Sequence, residues 1–282
     1  MKLASYRKGS AVSYGVVTGD GLVDLAPIAG EVGATLRQAL ERDSLGRIAQ
    51  WAADKKPGVA LGSIEFLPVI ADPQKIFCIG INYHTHVKET GREVPTHPMI
   101  FTRFADSQCG HLQPILRPKV SEKLDFEGEL AVVIGKAGRY IKADRALEHV
   151  AGYSAYNDGS VRDWQRHTIQ FTPGKNFPRT GGFGPWLVTA DEIPDPSQLS
   201  LTTRLNGAVM QQCRTDDMIF SVEVLVEYCS AFTNLNPGDV IITGTTGGVG
   251  AFRTPPVWMK PGDVAEIEIS GIGTLRNPVA DE

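Results

Sequence analysis

Cysteine is scarce in this chain. Four residues, Cys78, Cys109, Cys213 and Cys229, are scattered through 282 positions, and no two form a C-x-x-C pair. That pattern argues against a zinc ribbon and for reduced thiols in a cytoplasm. Long apolar runs are also missing, since no stretch approaches the roughly 20 residues needed to cross a bilayer. The opening residues Met1 to Arg7 lack the apolar core of a secretory signal. A cytoplasmic protein without a membrane partner is the expectation. Charge of one sign is not in excess: 28 Lys and Arg face 32 Asp and Glu, a formal net charge of -4. This balance gives no general electrostatic case for nucleic acid or an anionic membrane. Internal repeats and low-complexity tracts are absent, as is the G-x-x-x-x-G-K-[ST] spacing of a phosphate-binding loop.

The composition that remains, 42% hydrophobic and 21% charged, is that of an ordinary globular protein. The length is generous for one domain and comfortable for two unequal ones. Residues 1–70 read as a small N-terminal α+β domain. Val12–Val17 and Leu22–Leu25 are short strands separated by the turn signal Thr18-Gly19-Asp20-Gly21. Leu36, Leu40, Leu45, Ile48 and Trp51 follow at helical spacing, with a break near Ser44. The module holds no cluster of His, Cys or carboxylates, so its expected task is packing.

Residues 71–282 read as the larger, catalytic domain. An apolar strand over Lys75–Gly80 leads into Asn82-Tyr83-His84-Thr85-His86-Val87-Lys88-Glu89, a loop entering a helical turn. Such a turn sets His86 and Glu89 on one face. A carboxylate beside an imidazole orients it and raises its basicity, as a general base acting on water requires. Residues 90–98 read as a mobile loop suited to be a lid. Strands also fit residues 150–156, both sides of the turn Asn206-Gly207, Val240–Thr243 and Val264–Ile269. Thr215-Asp216-Asp217 is expected to cap a helix whose apolar face runs through Ile219, Val222, Val226 and Cys229. Strands dominate and helices are few, which predicts a mainly β (α+β) roll or barrel.

The stretch Leu124-Asp125-Phe126-Glu127-Gly128-Glu129-Leu130 carries the chemistry. Alternation along a strand puts Asp125, Glu127 and Glu129 on one face, and Glu127 and Glu129 roughly 6–7 Å apart. Carboxylates so placed repel one another and resist desolvation unless a cation is present. A solvated edge face is the alternative, but the run continues into Val132, Val133 and Ile134, which favour a buried strand. Asp158 at the end of the 150–156 strand is a natural third ligand, unless it serves as a helix cap. Three carboxylates with waters suit Mg²⁺ or Mn²⁺. Arg162 and Gln165, three apart, are placed to face a substrate carboxylate or the metal's waters. Lys175, next to Gly174, is suited to neutralise an enolate or a substrate carboxylate. Gly244–Gly250 is a backbone-rich loop able to bring N–H groups near a ligand.

Taken in order, these motifs resemble the fumarylacetoacetate hydrolase superfamily. They are Gly80-x-Asn82-Tyr83-x-x-His86-x-x-Glu89, Asp125-x-Glu127-x-Glu129, Asn157-Asp158-x-Ser160-x-Arg162-Asp163-x-Gln165, Gly174-Lys175, Asn206-Gly207, Pro237-Gly238-Asp239 and Gly244-Thr245. The resemblance spans about residues 71–280. It implies a mixed β-sandwich roll, a homodimer, and Mg²⁺ or Mn²⁺ held by Glu127, Glu129 and Asp158. It further implies a water-activating dyad of His86 and Glu89, a catalytic Lys175, and substrate contacts from Tyr83, Arg162, Gln165 and Thr245. Three positions depart from the family pattern: Thr246 where Pro is usual, Arg103 where Lys is frequent, and Pro178-Arg179 where an acidic residue is common. The implied activity is hydrolytic C–C cleavage of an acylpyruvate-like 2,4-dioxo acid. Oxaloacetate decarboxylation, isomerisation or hydration of a 2-oxo acid, retro-aldol cleavage and non-catalytic ligand binding are the alternatives.

Overall fold

A computed structural model describes all 282 residues. The alternation read from the sequence at Gly128–Ile134 organises the whole chain. Leu130, Val132 and Ile134 point to one side, where they join Leu201, Ile267, Ile269 and Leu275 in one apolar core. Ala131 and Val133 point to the other, into a second core with Ile242, Leu36, Leu40 and Ile48. A strand apolar on both faces must be covered twice, and that requirement produces the layers.

The covered sheet runs Val59–Ala60, Gly21–Asp24, Ala11–Thr18, Lys2–Lys8, Gly181–Thr189, Val150–Asp158, Gly128–Ile134, Val240–Thr245, Ile76–Gly80 and Met99–Thr102. Neighbours along this path are antiparallel except Val240–Thr245 and Ile76–Gly80, which run parallel. A second sheet, Ala208–Arg214, Ser200–Leu205, Val264–Ile269, Gly273–Asp281 and Ile115–Arg117, packs against its inner face. The outcome is a two-sheet mixed β roll with short helices, as the strand-rich pattern predicts.

Residues 1–70 continue this architecture. Lys2–Lys8 pairs with Gly181–Thr189, so the first three strands extend the large sheet. The expected helix breaks at Ser44 into Leu36–Glu41 and Leu45–Ala52, which cover the sheet's outer face. No helix of the chain is long and apolar enough to cross a membrane.

One expected helix start is displaced. Thr215–Asp217 forms a separate 3-10 turn, and the α-helix spans Val222–Phe232 after Ser221. Its buried side is Val222, Leu225, Val226 and Cys229. Asp217 instead accepts hydrogen bonds from the Thr85 backbone N–H (3.0 Å) and hydroxyl (2.7 Å), tying this turn to the segment that carries His86. Competition from a long-range partner, invisible in local spacing, moves the helix start.

Candidate active site

Strand register assembles the carboxylates. Gly128 pairs with Asn157 across the antiparallel ladder, so the ends of these strands place Asp158 beside Glu127. The Asp158 N–H donates to the Glu127 carbonyl (2.8 Å), and the Asn157 side chain accepts from the Glu127 N–H (3.0 Å). The backbone bond fixes the two carboxylates at one level of the sheet. Carboxylate oxygens of Glu127, Glu129 and Asp158 lie within 4.8 Å of one another, and all three residues are buried. Glu129 pairs across the sheet with Thr245, and its Oε2 accepts from the Gly244 N–H at 2.5 Å.

Asp125 does not join them. The strand is interrupted between Leu124–Asp125 and Gly128–Ile134, and Asp125 turns to the 250 loop. There it accepts from the N–H groups of Gly250 (2.8 Å) and Ala251 (2.9 Å) and from Arg162 Nε (2.8 Å). Two carboxylates, not three, therefore come from this stretch.

The glycine-rich loop works differently from the expectation too. Its N–H groups are taken by the protein's own acids: Gly244 donates to Glu129, Gly248 to Glu89 (2.9 Å) and Gly250 to Asp125. Gly244 and Gly248 have φ of 101° and 103°, where a side chain is disfavoured. A Cβ at Gly248 would stand 2.2 Å from the Met210 carbonyl. The loop is a bracket for the site's carboxylates.

His86 lies on the helix His84–Thr90, with Nδ1 3.1 Å from Glu89 Oε2, as the three-residue spacing predicts. Asn82 fixes the entry to this helix by donating to the carbonyls of Thr243 (2.7 Å) and Phe220 (3.0 Å). Gly248 holds the other oxygen of Glu89, so the imidazole is oriented by a carboxylate that is itself held. The Phe252 ring meets the imidazole edge-on, with centroids 6.1 Å apart.

Cations fill the remaining positions. Lys175 Nζ is 2.6 Å from both Glu127 Oε2 and Asp158 Oδ2. Arg162 bridges Asp125 and Glu127, and Arg103 pairs with Asp158 at 2.6 Å. Four buried carboxylates thus face three buried cations. The one left without a cationic partner is Glu129. Burial, reinforced by the negative charges of Asp158 and Glu127, pushes its carboxyl well above the usual range. Burial also acts to raise Glu127, but Arg162 and Lys175 win and hold it at about 2. Burial opposes the charge on Lys175 as well, yet Asp158 and Glu127 keep its ammonium above the usual value. A divalent cation would offset the uncompensated charge at Glu129, and the three-carboxylate donor set suits a hard, oxygen-seeking ion. The residues present fit such an ion.

A cavity that opens to solvent runs past these groups. His86, Glu127, Glu129, Arg162, Gln165, Lys175 and Thr245 line it, which brings most of the sequence-derived site together. Glu89 and Asp158 do not line it and act through their partners His86 and Lys175, and Tyr83 is set apart from it. Its side chain is fully buried and does not line the cavity, so the expected substrate contact is not made there. Sequence reasoning missed Phe101, Phe171 and Phe252, which form apolar walls, and Arg92 and Arg166. It noted Arg103 only as a departure, whereas this buried guanidinium also donates to Thr180 Oγ1 (2.7 Å) and the Gly159 carbonyl (3.2 Å). No local signal marks this pairing, because Arg103 and Asp158 are 55 residues apart in the chain.

The Asp125 bracket makes a prediction. Asp125→Asn puts an amide against N–H donors and removes one of Arg162's two carboxylates. Breaking a buried pair of this kind costs about 3–5 kcal/mol, so the midpoint of denaturant unfolding should fall clearly. An unchanged midpoint would show that the bracket does not hold the loop.

Comparison with known proteins places these features. Residues 75–280 match the fumarylacetoacetate (FAA) hydrolase C-terminal family model. The Bos taurus mitochondrial oxaloacetate tautomerase FAHD2A is 41% identical over 265 residues, covering 93% of this chain and 84% of that protein. The fumarylacetoacetate hydrolase structure from Exiguobacterium antarcticum superposes with a TM-score of 0.85 at 33% identity, covering 100% of both chains. The maleylpyruvate hydrolase of Sphingobium sp. SYK-6, solved with manganese(II) and pyruvate, gives a TM-score of 0.83 at 25% identity over 100% of this chain and 99% of that one. The chain belongs to the fumarylacetoacetate hydrolase family.

Proposed function

We propose that this member of the fumarylacetoacetate hydrolase family is a Mg²⁺- or Mn²⁺-dependent enzyme that interconverts the keto and enol forms of oxaloacetate or a close 2-oxo dicarboxylic acid. The observation that carries the reading is the three-carboxylate cage, with Glu129 left without a cationic partner, set beside a carboxylate-oriented imidazole. The 41% identity to a protein named as an oxaloacetate tautomerase supports the choice of reaction.

Glu127, Glu129 and Asp158 would hold the cation. When bound, it supplies Lewis-acid polarisation of a 2-oxo carbonyl. His86 accepts the proton from C3, and Glu89 keeps its imidazole in the orientation and tautomer that this transfer needs. The C–H electron pair becomes the C2–C3 double bond, and the carbonyl pair moves onto the C2 oxygen. The ammonium of Lys175 offers that oxygen a hydrogen bond where negative charge develops, and a proton from solvent on the C2 oxygen completes the enol while His86 gives the C3 proton back to solvent. Return of a proton to C3 from His86 runs the reaction backwards. Burial of Glu127, Glu129, Asp158, Arg162 and Lys175 strengthens the electrostatic contacts at this end of the site.

The same dyad favours a second reading, hydrolysis of an acylpyruvate-like diketo acid, in which His86 takes a proton from water as it attacks the distal carbonyl. The similarity to maleylpyruvate hydrolase supports it. One assay separates the two. Purified protein with Mg²⁺, Mn²⁺ or EDTA is mixed with oxaloacetate, acetylpyruvate or fumarylpyruvate, following enol absorbance and released pyruvate. Metal-dependent loss of oxaloacetate enol without pyruvate release is the expected result. Metal-dependent release of pyruvate from the diketo acids alone would replace the tautomerase reading with hydrolysis.

A further inference from the structure

We propose that Arg92 and Arg166 form an anion subsite at the outer part of the cavity that receives the second carboxylate of a 2-oxo dicarboxylic acid. The inference rests on the reading that the carboxylate cage and Lys175 take the 2-oxo acid end.

Charge around the cavity is divided unevenly. The acidic residues that line it, Glu127 and Glu129, belong to the cage. Four cationic side chains line it: Arg92, Arg162, Arg166 and Lys175. Arg162 and Lys175 are taken by buried carboxylates. Arg92 and Arg166 take part in none of the chain's ion pairs, and neither guanidinium donates a side-chain hydrogen bond within the protein. Both arginines are exposed, so two free guanidinium groups stand at the mouth of a space lined by Phe101, Phe171 and Phe252. Low-dielectric walls focus the field of such charges on an entering anion.

Their placement follows from the site's own helices. Arg166 is the residue that ends the helix Arg162–Gln165, directly after Gln165, and its N–H donates to the Asp163 carbonyl at 3.1 Å. Arg92 follows Gly91, which closes the helix His84–Thr90 with a φ of 65°. Each arginine thus continues a helix that delivers other cavity-lining groups. The Arg166 guanidinium lies 5.8 Å from the centre of the Phe252 ring, whose edge-on partner is His86. The cation and the proposed base thus meet the same ring. Because both arginines line the same cavity as His86, Glu127, Glu129 and Lys175, a substrate held at the cage by its 2-oxo acid end would have guanidinium groups in the same space for its far end. The planar fork of arginine matches a carboxylate with two parallel hydrogen bonds. A 2-oxo acid with a second carboxylate engages it; a monocarboxylic 2-oxo acid does not.

The test uses the full chain loaded with Mn²⁺, as wild type, Arg92→Met, Arg166→Met and the double variant. Enol-to-keto conversion of oxaloacetate gives kcat and KM, and calorimetry gives Kd for oxaloacetate, pyruvate and oxalate. Loss of a charge-assisted hydrogen-bonded pair corresponds to roughly tenfold per arginine in kcat/KM and Kd for oxaloacetate. Pyruvate and oxalate, which engage the cage end alone, should keep their Kd in every variant. A double variant that retains wild-type kcat/KM and Kd for oxaloacetate overturns the proposal. So does a uniform loss for all three ligands, because that reports damage at the cage end. A wild type that binds oxaloacetate more tightly than pyruvate, but does not accelerate its tautomerisation, sinks the tautomerase reading and leaves the subsite supported. A wild type that binds the two equally overturns the subsite whatever the reaction.

Discussion

Replacing Glu129 with Gln should leave the metal-free protein at least as stable as wild type while removing its stabilisation by metal. Most buried charge removals destabilise, because they strand a partner. Glu129 has no cationic partner to strand, since three buried cations are shared among Asp125, Glu127 and Asp158. Its one short contact, from the Gly244 N–H, survives because a Gln side chain retains an accepting oxygen. A wild-type protein with divalent metal at about a hundredfold its Kd gains about 2.7 kcal/mol, which is roughly 5–10 °C in Tm for a chain of this size. Thermal unfolding with Mn²⁺ or EDTA should show that rise in wild type and little of it in Glu129→Gln. A variant that keeps the full rise would move the metal away from this cage. A variant much less stable without metal would mean that Glu129 serves the fold.

The second large effect is expected at the base. His86→Ala should lower kcat for tautomerisation by about 10²–10⁴-fold, the range of a positioned general base. The Mn²⁺-induced rise in Tm should persist, because His86 is not among the clustered carboxylate ligands. Glu89→Gln should lower kcat less, since it preserves the contact to the Gly248 N–H but weakens the orientation of the imidazole. Loss of the metal response in His86→Ala would make the histidine part of the cation site. Full activity would assign the proton transfer elsewhere.

How far the sequence carried these conclusions depended on which contacts are local. The His86–Glu89 contact is three residues of helix, and the Glu127–Glu129 pair is two residues apart in sequence. Both were legible from spacing alone. The addition of Asp158 needed only a strand end, because antiparallel register then brings it to Glu127. The turn at Asn206-Gly207, the break at Ser44 and the strand-rich layers followed from local turn and periodicity rules. What failed was decided over distance. Asp125 has the right parity for the cage, yet two N–H groups 125 and 126 residues away hold it elsewhere. Asp217 looks like a helix cap and instead reaches Thr85 across 132 residues. Arg92, Arg103 and Arg166 have no motif of their own and acquire meaning only from what the fold sets beside them.

Metal-dependent proton transfer at C3 of oxaloacetate by His86, without C–C cleavage, is tested most directly by exchange of the C3 hydrogens with D₂O, followed by proton NMR. Mg²⁺ serves as the activating ion, because paramagnetic Mn²⁺ would broaden the substrate signals. Wild type with Mg²⁺ should exchange C3 hydrogens well above the buffer rate, with no pyruvate or CO₂ formed, and both EDTA and His86→Ala should return exchange to that background. Exchange that survives EDTA, or that appears only together with pyruvate, would contradict this assignment.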